Sequence, residues 1–420
     1  MPAEISRVLP AGVPAETLDS FFDAIAAKIG TEHVSRDHRS GSLPGPHGSE
    51  SYGDPFSART DRLPSGAVRP SSVEEVQHVV KEANNFKIPL WTVSRGRNLG
   101  GYGPGVDGLF FQSNLGIVTK LGIHMTPAPE AYAYCEVSVK EEKDLVPLIG
   151  TISDLIRRRI IGNSASISNI FRQALVSENP RVLEKLGPHL GIDKHVAYEV
   201  LEKIRAKEGW GFWKAHFALY GSIESVEGQI RTVRRALAPI ENVQLVTRGT
   251  FGSKGSYLKA TAVGPEEVPH AGVPSMAPLT MTEHRGPGSG HLSFSPIIPP
   301  SGREVYDWYL TAKERTEAAN FDFFADFHVF GRHVLAIELF TFAHSEQDRA
   351  YKLFEQLAED GAKQGYSEYR THVDFMDKVA SHFDFNERAL QRFTTAIKDV
   401  VDPNGIISPG KSGIWNSGTV

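Results

Sequence analysis

From Ala131 onward the sequence changes its hydrophobic period repeatedly. "AYAYCEVSV" alternates as a strand and "KDLVPLIGTISDLIRR" repeats at helical spacing; "GFWKAHFALYGS" is again strand-like, "SVEGQIRTVRRALAPI" helical, and "NVQLVTRGTF" strand-like. A repeated strand-helix unit whose helices lie on one face of a sheet is an α+β layer, so a second domain is expected from about residue 127. "FDFFADFHVF" and "HVLAIELFTF" flank Gly331-Arg332 as a hairpin would. A helix is then expected over "SEQDRAYKLFEQLAEDGAKQG", started by Ser345 with Asp348 and stopped at Gly365. A last helix over residues 387–401 leads into "DPNGIISPGKSGIW".

The first part of the chain is less regular. "TLDSFFDAIAAKI" spaces Leu18, Phe21, Phe22, Ile25 and Ile29 along one helical face, with Gly30 as its stop. Residues 31–66 are rich in Gly, Ser, Pro and His without a period and form a long loop. Ser72 and Glu75 have capping-box spacing, Val73, Val76, Val79 and Val80 give a helix face, and Asn84-Asn85 mark its exit. "IPLWTVS" then reads as a short strand running into "GRNLGG", where successive backbone N–H groups can ring an anion and Arg97 adds charge. By itself a glycine-rich turn of this kind is more often a plain turn than a phosphate site. Residues 253–290, rich in Pro and Gly, suggest a loop across an opening.

A chain of 420 residues is long enough for two or more domains. Its net charge of -5 gives no sign of a nucleic-acid surface. Cys135 is the single cysteine, which excludes internal disulfides and cysteine-rich metal sites, points to a reducing compartment, and is expected to pack in a strand. The N-terminus lacks the basic and apolar regions of a secretory signal, no stretch approaches the length of a membrane span, and "NSGTV" is not a peroxisomal address. A soluble, cytoplasmic protein is expected, with peroxisomes as the alternative.

Walker A, HExxH, GxSxG and CxxC patterns are all missing, which removes the commonest hydrolase, zinc and nucleotide-phosphate readings, and no metal is expected. "GSGHLSFSP" sets His291 between a glycine turn and an alternating strand, where its plainest role is a strand-entry histidine bonded to backbone. "SEYRTH" places Tyr369 beside Arg370. Neighbours in a regular strand face opposite ways, so these two can grip one anion only at a bend or strand end. There a phenol donor and a guanidinium would hold a phenolate or carboxylate; the simpler alternative for Arg370 is a structural ion pair.

Taken together, "RPSSVEEVQHVVKEANNFKIPLWTVSRGRN", "DGLFFQSNLGIVTKLGIHMTPAP", "GHLSFSP", "GYSEYRTH" and "DPNGIISPGKSGIW" resemble, in order over residues 69–415, the vanillyl-alcohol oxidase family of FAD enzymes. This family comprises 4-phenol oxidases related to eugenol oxidase and p-cresol methylhydroxylase. The resemblance implies an α+β protein. A two-layer FAD-binding domain of the p-cresol methylhydroxylase type would fill residues 1–126, a cap domain with an antiparallel sheet covered by helices residues 127–370, and a segment returning to the flavin residues 371–420. It assigns Gly96, Arg97, Asn98, Gly100 and Gly101 to the FAD diphosphate, and Asn114, Gly116, Ile117, Val118 and Thr119 to the segment beside the FAD. His291 becomes the residue expected to bond covalently to the flavin. Tyr369 and Arg370 match the pair that binds a phenolate, Tyr102 falls where a third phenolate contact is expected, and Lys411 and Ser412 lie in the motif that closes near the flavin.

The implied reaction is oxidation of a para-substituted phenol by hydride transfer to flavin, with dioxygen as acceptor, in a protein that often forms homo-oligomers. The chain departs from the family in one place. After "GRNLGG" the family has a further block of the FAD domain, including an active-site aspartate, and here the chain goes straight to "YGPGVDGLFFQSNLGIVTK". Such a loss would remove half of the FAD cradle and leave apolar surface uncovered. Three readings follow: a working oxidase with a contracted FAD domain, a non-catalytic homologue that binds an aromatic ligand or a partner chain, and a chain from which an exon has been lost.

Overall fold

The computed structural model describes residues 8–36, 64–91, 106–123, 127, 129–177, 179–249, 282–286 and 288–419. The chain forms two compact units, one from Met1–Met125 with Arg370–Val420 and one from Thr126–Tyr369.

In the first unit, α1 (Ala15–Ile29) buries Leu18, Phe21, Phe22, Ile25 and Ile29, the face its spacing predicts. Strands β1 (Val34–Ser35) and β2 (Ala67–Val68) pair antiparallel, so the segment expected as a long loop over residues 31–66 carries a two-residue strand near its start, and its residues 37–63 lie outside the described residues. Helix α2 (Val73–Phe86) starts at Ser72, whose hydroxyl accepts from the Glu75 N–H at 3.2 Å. The reciprocal bond is displaced by one residue, because the Glu75 carboxylate takes the Ser71 N–H at 2.6 Å. That bond holds the Glu75 carboxyl below its usual range. The two helices share a core with Ile88 and Ile406.

The second unit is built on β3 (Ala131–Val139), α3 (Leu145–Arg157), β4 (Ala165–Asn169), α4 (Ile170–Leu175), α5 (Pro180–Leu186), α6 (Tyr198–Glu208), β5 (Trp213–Gly221), α7 (Ile223–Leu237) and β6 (Gln244–Arg248). It continues with β7 (Gly290–Phe294), β8 (Pro296–Ile298), α8 (Gly302–Ala318), β9 (Phe324–Val329), β10 (Val334–Phe342), α9 (Gln347–Lys363) and β11 (Ser367–Glu368). Among the described residues these strands form one sheet of nine in the order β11-β8-β10-β9-β4-β5-β3-β6, with β7 pairing β10. Every pairing is antiparallel. The α+β expectation and the β9-β10 hairpin are both present.

The two faces of this sheet differ in chemistry because side chains alternate along each strand. One face carries Trp213, Phe327, Phe294 and Phe340, and α8 and α9 cover it: Trp213 meets Tyr309 edge-on with ring centroids 5.0 Å apart, and Phe294 meets Trp308 at 5.7 Å and Phe354 at 5.8 Å. Burying side chains of this size contributes about 1.5–3 kcal/mol each. Helix α8 approaches α3 closely enough that a Cβ on Gly302 would stand 2.0 Å from the Val146 carbonyl oxygen, which excludes any larger residue. The opposite face is polar, with Lys214 and Arg248 both 3.6 Å from Glu136, Arg172 of α4 2.9 Å from Asp326, and Tyr134 hydrogen-bonded to His216.

Helix α9 does not start as its sequence suggests. Glu346 is the residue that organises its entry, accepting the Ala343 N–H at 2.8 Å while pairing with Arg285 at 2.8 Å and Arg349 at 2.7 Å, so ion pairing overrides the Ser345 and Asp348 spacing. The chain returns to the first unit through α10 (Met376–Ser381) and α11 (Phe385–Val401). Asn386, Glu387 and Arg388 have φ of 48–60°, so the regular part of α11 begins two residues after the expected Glu387.

Candidate active site

His291 sits in β7, where it faces Thr341 of β10 as a cross-strand pair. Residues 290–298 run along one edge of β10 and are interrupted at Ser295, which pairs with neither strand. The Ser295 carbonyl accepts the Tyr369 N–H at 3.1 Å, and its own N–H donates to Glu368 Oε1 at 3.3 Å. Strand β11 ends at Glu368, and Tyr369 and Arg370 follow as a bend. The local condition for both side chains to serve one anion is therefore met: they lie just past a strand end. The Tyr369 backbone is anchored four residues along from His291, about 13 Å at ~3.3 Å per residue.

In the first unit a buried polar knot ties residues 113–115 to the C-terminal motif. Asn114 is fully buried and its amide donates to the Ser408 and Ile414 carbonyls, each at 2.9 Å. Lys398 of α11, also fully buried, donates to the Asn114 carbonyl at 2.7 Å and the Ile407 carbonyl at 2.8 Å, and pairs with Asp402 at 2.6 Å. Burial pulls the Lys398 ammonium down and Asp402 opposes that shift. The motif that follows needs its glycines: Gly410 has φ of 76° and a Cβ there would stand 2.3 Å from the Trp415 ring. Ser412 donates its hydroxyl to the Gln112 carbonyl, which links the same two segments again.

Lys411 lies over the Trp91 ring at 5.4 Å. Its ammonium is pulled below the usual lysine range by burial and by the nearby Arg370 guanidinium. Two cations held within electrostatic reach favour an anion between or beside them. Gly116, Ile117, Val118 and Thr119 follow Leu115 outside any helix or strand, and among the described residues their backbone N–H groups donate to no protein acceptor. Among the described residues Asn114 Oδ1 is buried without a hydrogen-bond partner. Unused donors, an unused buried acceptor and a pair of cations fit the polar edge of a flavin ring. Gly96, Arg97, Asn98, Gly100, Gly101 and Tyr102, assigned by resemblance to the diphosphate and the phenolate, lie outside the described residues.

Around the segment 92–105 the described chain exposes apolar side chains. Trp91, Val106, Phe110, Phe111, Val118, Leu121 and Ile123 are each 38–58% exposed.

Sequence reasoning missed a set of polar residues next to His291. Thr341 Oγ1 lies 2.9 Å from Nε2 and 3.1 Å from Nδ1 of His284, whose Nε2 is 3.5 Å from Asp322 Oδ2. His195 approaches the other oxygen of Asp322 at 3.5 Å. His284 and Asp322 stand 57 and 19 residues from Thr341 in sequence, a spacing with no local period to betray it. Glu338, on the helix-covered face of β10, was missed for the same reason. It is 2% exposed, the Trp308 indole lies beside it, and among the described residues neither of its oxygens has a hydrogen bond of good geometry. Burial pushes its carboxyl well above the usual range.

Both units show the architecture of p-cresol methylhydroxylase-type flavoproteins. Solved structures with this fold include 4-ethylphenol oxidase from Gulosibacter chungangensis in complex with isoeugenol (TM-score 0.83, 22% identity, covering 98% of this chain and 100% of that one). Substrate-bound p-cresol methylhydroxylase is also similar (TM-score 0.78, 22% identity, 97% and 99% covered). Residues 277–412 match the family "FAD linked oxidases, C-terminal domain". The chain is homologous to the 4-cresol dehydrogenase [hydroxylating] flavoprotein subunit of Pseudomonas putida, 29% identical over 338 residues, 80% of this chain and 60% of that protein. It also resembles 1'-carboxy-chondrochloren decarboxylase of Chondromyces crocatus, 23% identical over 341 residues, 74% of this chain and 61% of that protein. The resemblance found in the sequence motifs is thus borne out, and the chain spans about 60% of the length of the curated relatives it matches.

Proposed function

We propose that this chain is an FAD-dependent oxidoreductase that oxidises para-substituted phenols. The observation that carries the proposal is the Tyr369-Arg370 bend past β11, anchored through Ser295 to the strand run that bears His291. Relatives named for 4-cresol and 4-ethylphenol support the same substrate class. FAD, when bound, accepts the hydride from the benzylic carbon of the substrate.

The chain's own residues do the rest. Arg370 and Tyr369 hold the substrate oxygen as phenolate, so that its charge pushes toward the para carbon as the hydride leaves. Lys411, made less basic by burial and by Arg370, adds positive potential without a competing carboxylate ion pair among the described residues. His291 is the residue we assign to covalent attachment of the flavin, and dioxygen the acceptor that completes turnover. We assign residues 1–126 and 371–420 to FAD binding and 127–370 to the cap, with cytoplasmic location and a homo-oligomeric state as further parts of the proposal.

The test is to purify the chain, precipitate it in acid, and ask whether flavin stays with the pellet. Covalent flavin that is lost in His291→Ala supports the assignment; unchanged attachment in that variant overturns it. The exposed residues from Trp91 to Ile123 favour a second reading, a homologue that does not hold FAD and binds an aromatic ligand or a partner chain. Protein that stays colourless and gains no flavin spectrum with added FAD selects that reading.

A further inference from the structure

We propose that a cleft between α6 and α8 binds a free aromatic amino acid, with Lys313 receiving its carboxylate, Glu317 its ammonium group and a set of aromatic side chains its ring. The cleft opens where β4 ends and β5 and β9 begin, has a volume of about 280 Å³, and is walled by Phe171, Tyr198, Phe212, Tyr309 and Phe323. Helix α8 lines it and covers the sheet face opposite His291, since Phe340 lies on the covered face and Thr341, with the His291 paired to it, is on the other. A cavity of ~150 Å³ takes up benzene, so this one holds a ring with a short polar chain, roughly twelve non-hydrogen atoms.

The aromatic walls hold one another in place. Tyr309 meets Trp213 with ring centroids 5.0 Å apart and Phe323 at 5.6 Å, Phe212 meets Trp213 at 5.3 Å, and Tyr198 meets Phe212 at 6.3 Å. Burial raises the Tyr309 and Tyr198 hydroxyls, so both phenols stay neutral. Ring faces and edges of this kind take up a further aromatic ring in tilted or offset contact.

The polar groups come from one stripe of α8. Tyr309, Lys313 and Glu317 are spaced by four, which stacks them along the cleft with Cβ atoms about 5–6 Å apart from turn to turn. Lys313 does not pair with Glu317. It turns to Glu142, 2.6 Å away, which also accepts the Tyr309 hydroxyl, and its ammonium lies 5.5 and 5.6 Å from the Tyr198 and Tyr309 ring centroids. Glu142 is its one acceptor among the described residues, and an ammonium has three N–H donors. The Glu317 carboxylate makes no hydrogen bond or ion pair among the described residues. His195 stands at the mouth within electrostatic reach of Glu317, but its own partner is Asp322, which Arg285 also faces, and Glu199 lines the same mouth. A simple anion would meet Glu199 and Glu317, and a simple cation would leave the spare N–H groups of Lys313 without an acceptor. An α-amino acid carries both charges on one carbon and serves both groups at once.

None of these residues is assigned to flavin or phenol, so binding is expected with and without FAD. The experiment titrates L-phenylalanine into the purified chain by calorimetry, and we expect saturable binding at one site with a Kd of about 1 mM or tighter. Three analogues each lack one element: 3-phenylpropanoate the ammonium group, 2-phenylethylammonium the carboxylate, and L-alanine the ring. Each should bind at least about 10-fold more weakly, as should L-phenylalanine to Lys313→Met and to Glu317→Gln. Lys313→Met also strips Glu142 of its partner, so Glu317→Gln, at an exposed position, decides the matter if the first variant does not fold. No saturable binding at ~20 mM L-phenylalanine, an analogue that binds as well as the amino acid, or wild-type affinity in Glu317→Gln overturns the assignment.

Discussion

Lys398 Nζ and Asp402 Oδ2 lie 2.6 Å apart one helical turn from each other, both buried, and through Asn114 and Ile407 they fasten the 113–115 segment to the C-terminal motif. Asp402 also accepts the N–H groups of Ile406 and Ile407 at 3.0 and 2.8 Å. Removing one partner of such a pair leaves an uncompensated charge in the interior, which costs about 3–5 kcal/mol. Lys398→Met is expected to lower the denaturation midpoint accordingly, and Lys398→Met with Asp402→Asn to recover part of the loss. A single variant as stable as the wild type would show that the knot contributes nothing.

Glu338 gives a stability effect of opposite sign to an ordinary carboxylate. Its folded pKa is raised, so the folded protein must keep it protonated at pH values where the unfolded chain is ionised. Stability is full below the unfolded pKa and falls as pH rises, by about 1.4 kcal/mol per unit, until the folded pKa is reached. Glu338→Gln removes this dependence. Denaturant titrations between about pH 5 and 7 should therefore show the variant gaining on the wild type by ~1.4 kcal/mol per pH unit, and parallel curves would refute burial of the acid.

Arg370→Ala should act on turnover more than on folding, since Arg370 is exposed and sits at a bend. Loss of the guanidinium removes charge that stabilises the phenolate, and kcat/KM for a 4-alkylphenol should fall about 10²–10³-fold. The pH optimum should move upward, toward the free phenol pKa of about 10. An unchanged pH profile would place the phenolate elsewhere.

Cys135 is fully buried in β3, and burial pushes its thiol up to about 12. The reactive thiolate is therefore scarce in the folded protein at neutral pH. Thiol reagents should modify it only at the rate at which β3 opens, and quickly in denaturant. Rapid labelling of the native chain would mean that β3 is not held between β5 and β6.

Several elements were legible because their own residues enforce them. The five apolar positions of α1, the alternation of β3 and the β9-β10 hairpin each carry their period locally. Helix α8 was legible in principle, with Val305, Trp308, Tyr309 and Ala312 on one face, but it was not read, and neither was the run from β4 to α6. Of "IPLWTVS", residues 92–94 lie outside the described residues; in the rest Leu90 makes a parallel bridge to Ile407, a partner 317 positions away. The start of α9 was misplaced because Arg285 and Arg349 recruit Glu346, and no periodicity reports a distant arginine.

By itself the sequence determined the α+β class, the short motifs and the residue types that phenol and flavin chemistry require. Those follow from local hydrogen-bonding, alternation and the fixed properties of side chains. Only the tertiary structure decided that Asn114 is held by carbonyls about 300 residues later, that Tyr369 leaves its strand at a bend, and that Thr341 brings His284 and Asp322 to the strand of His291. Sheet register and buried charge place such residues together, and both depend on partners that are far apart along the chain.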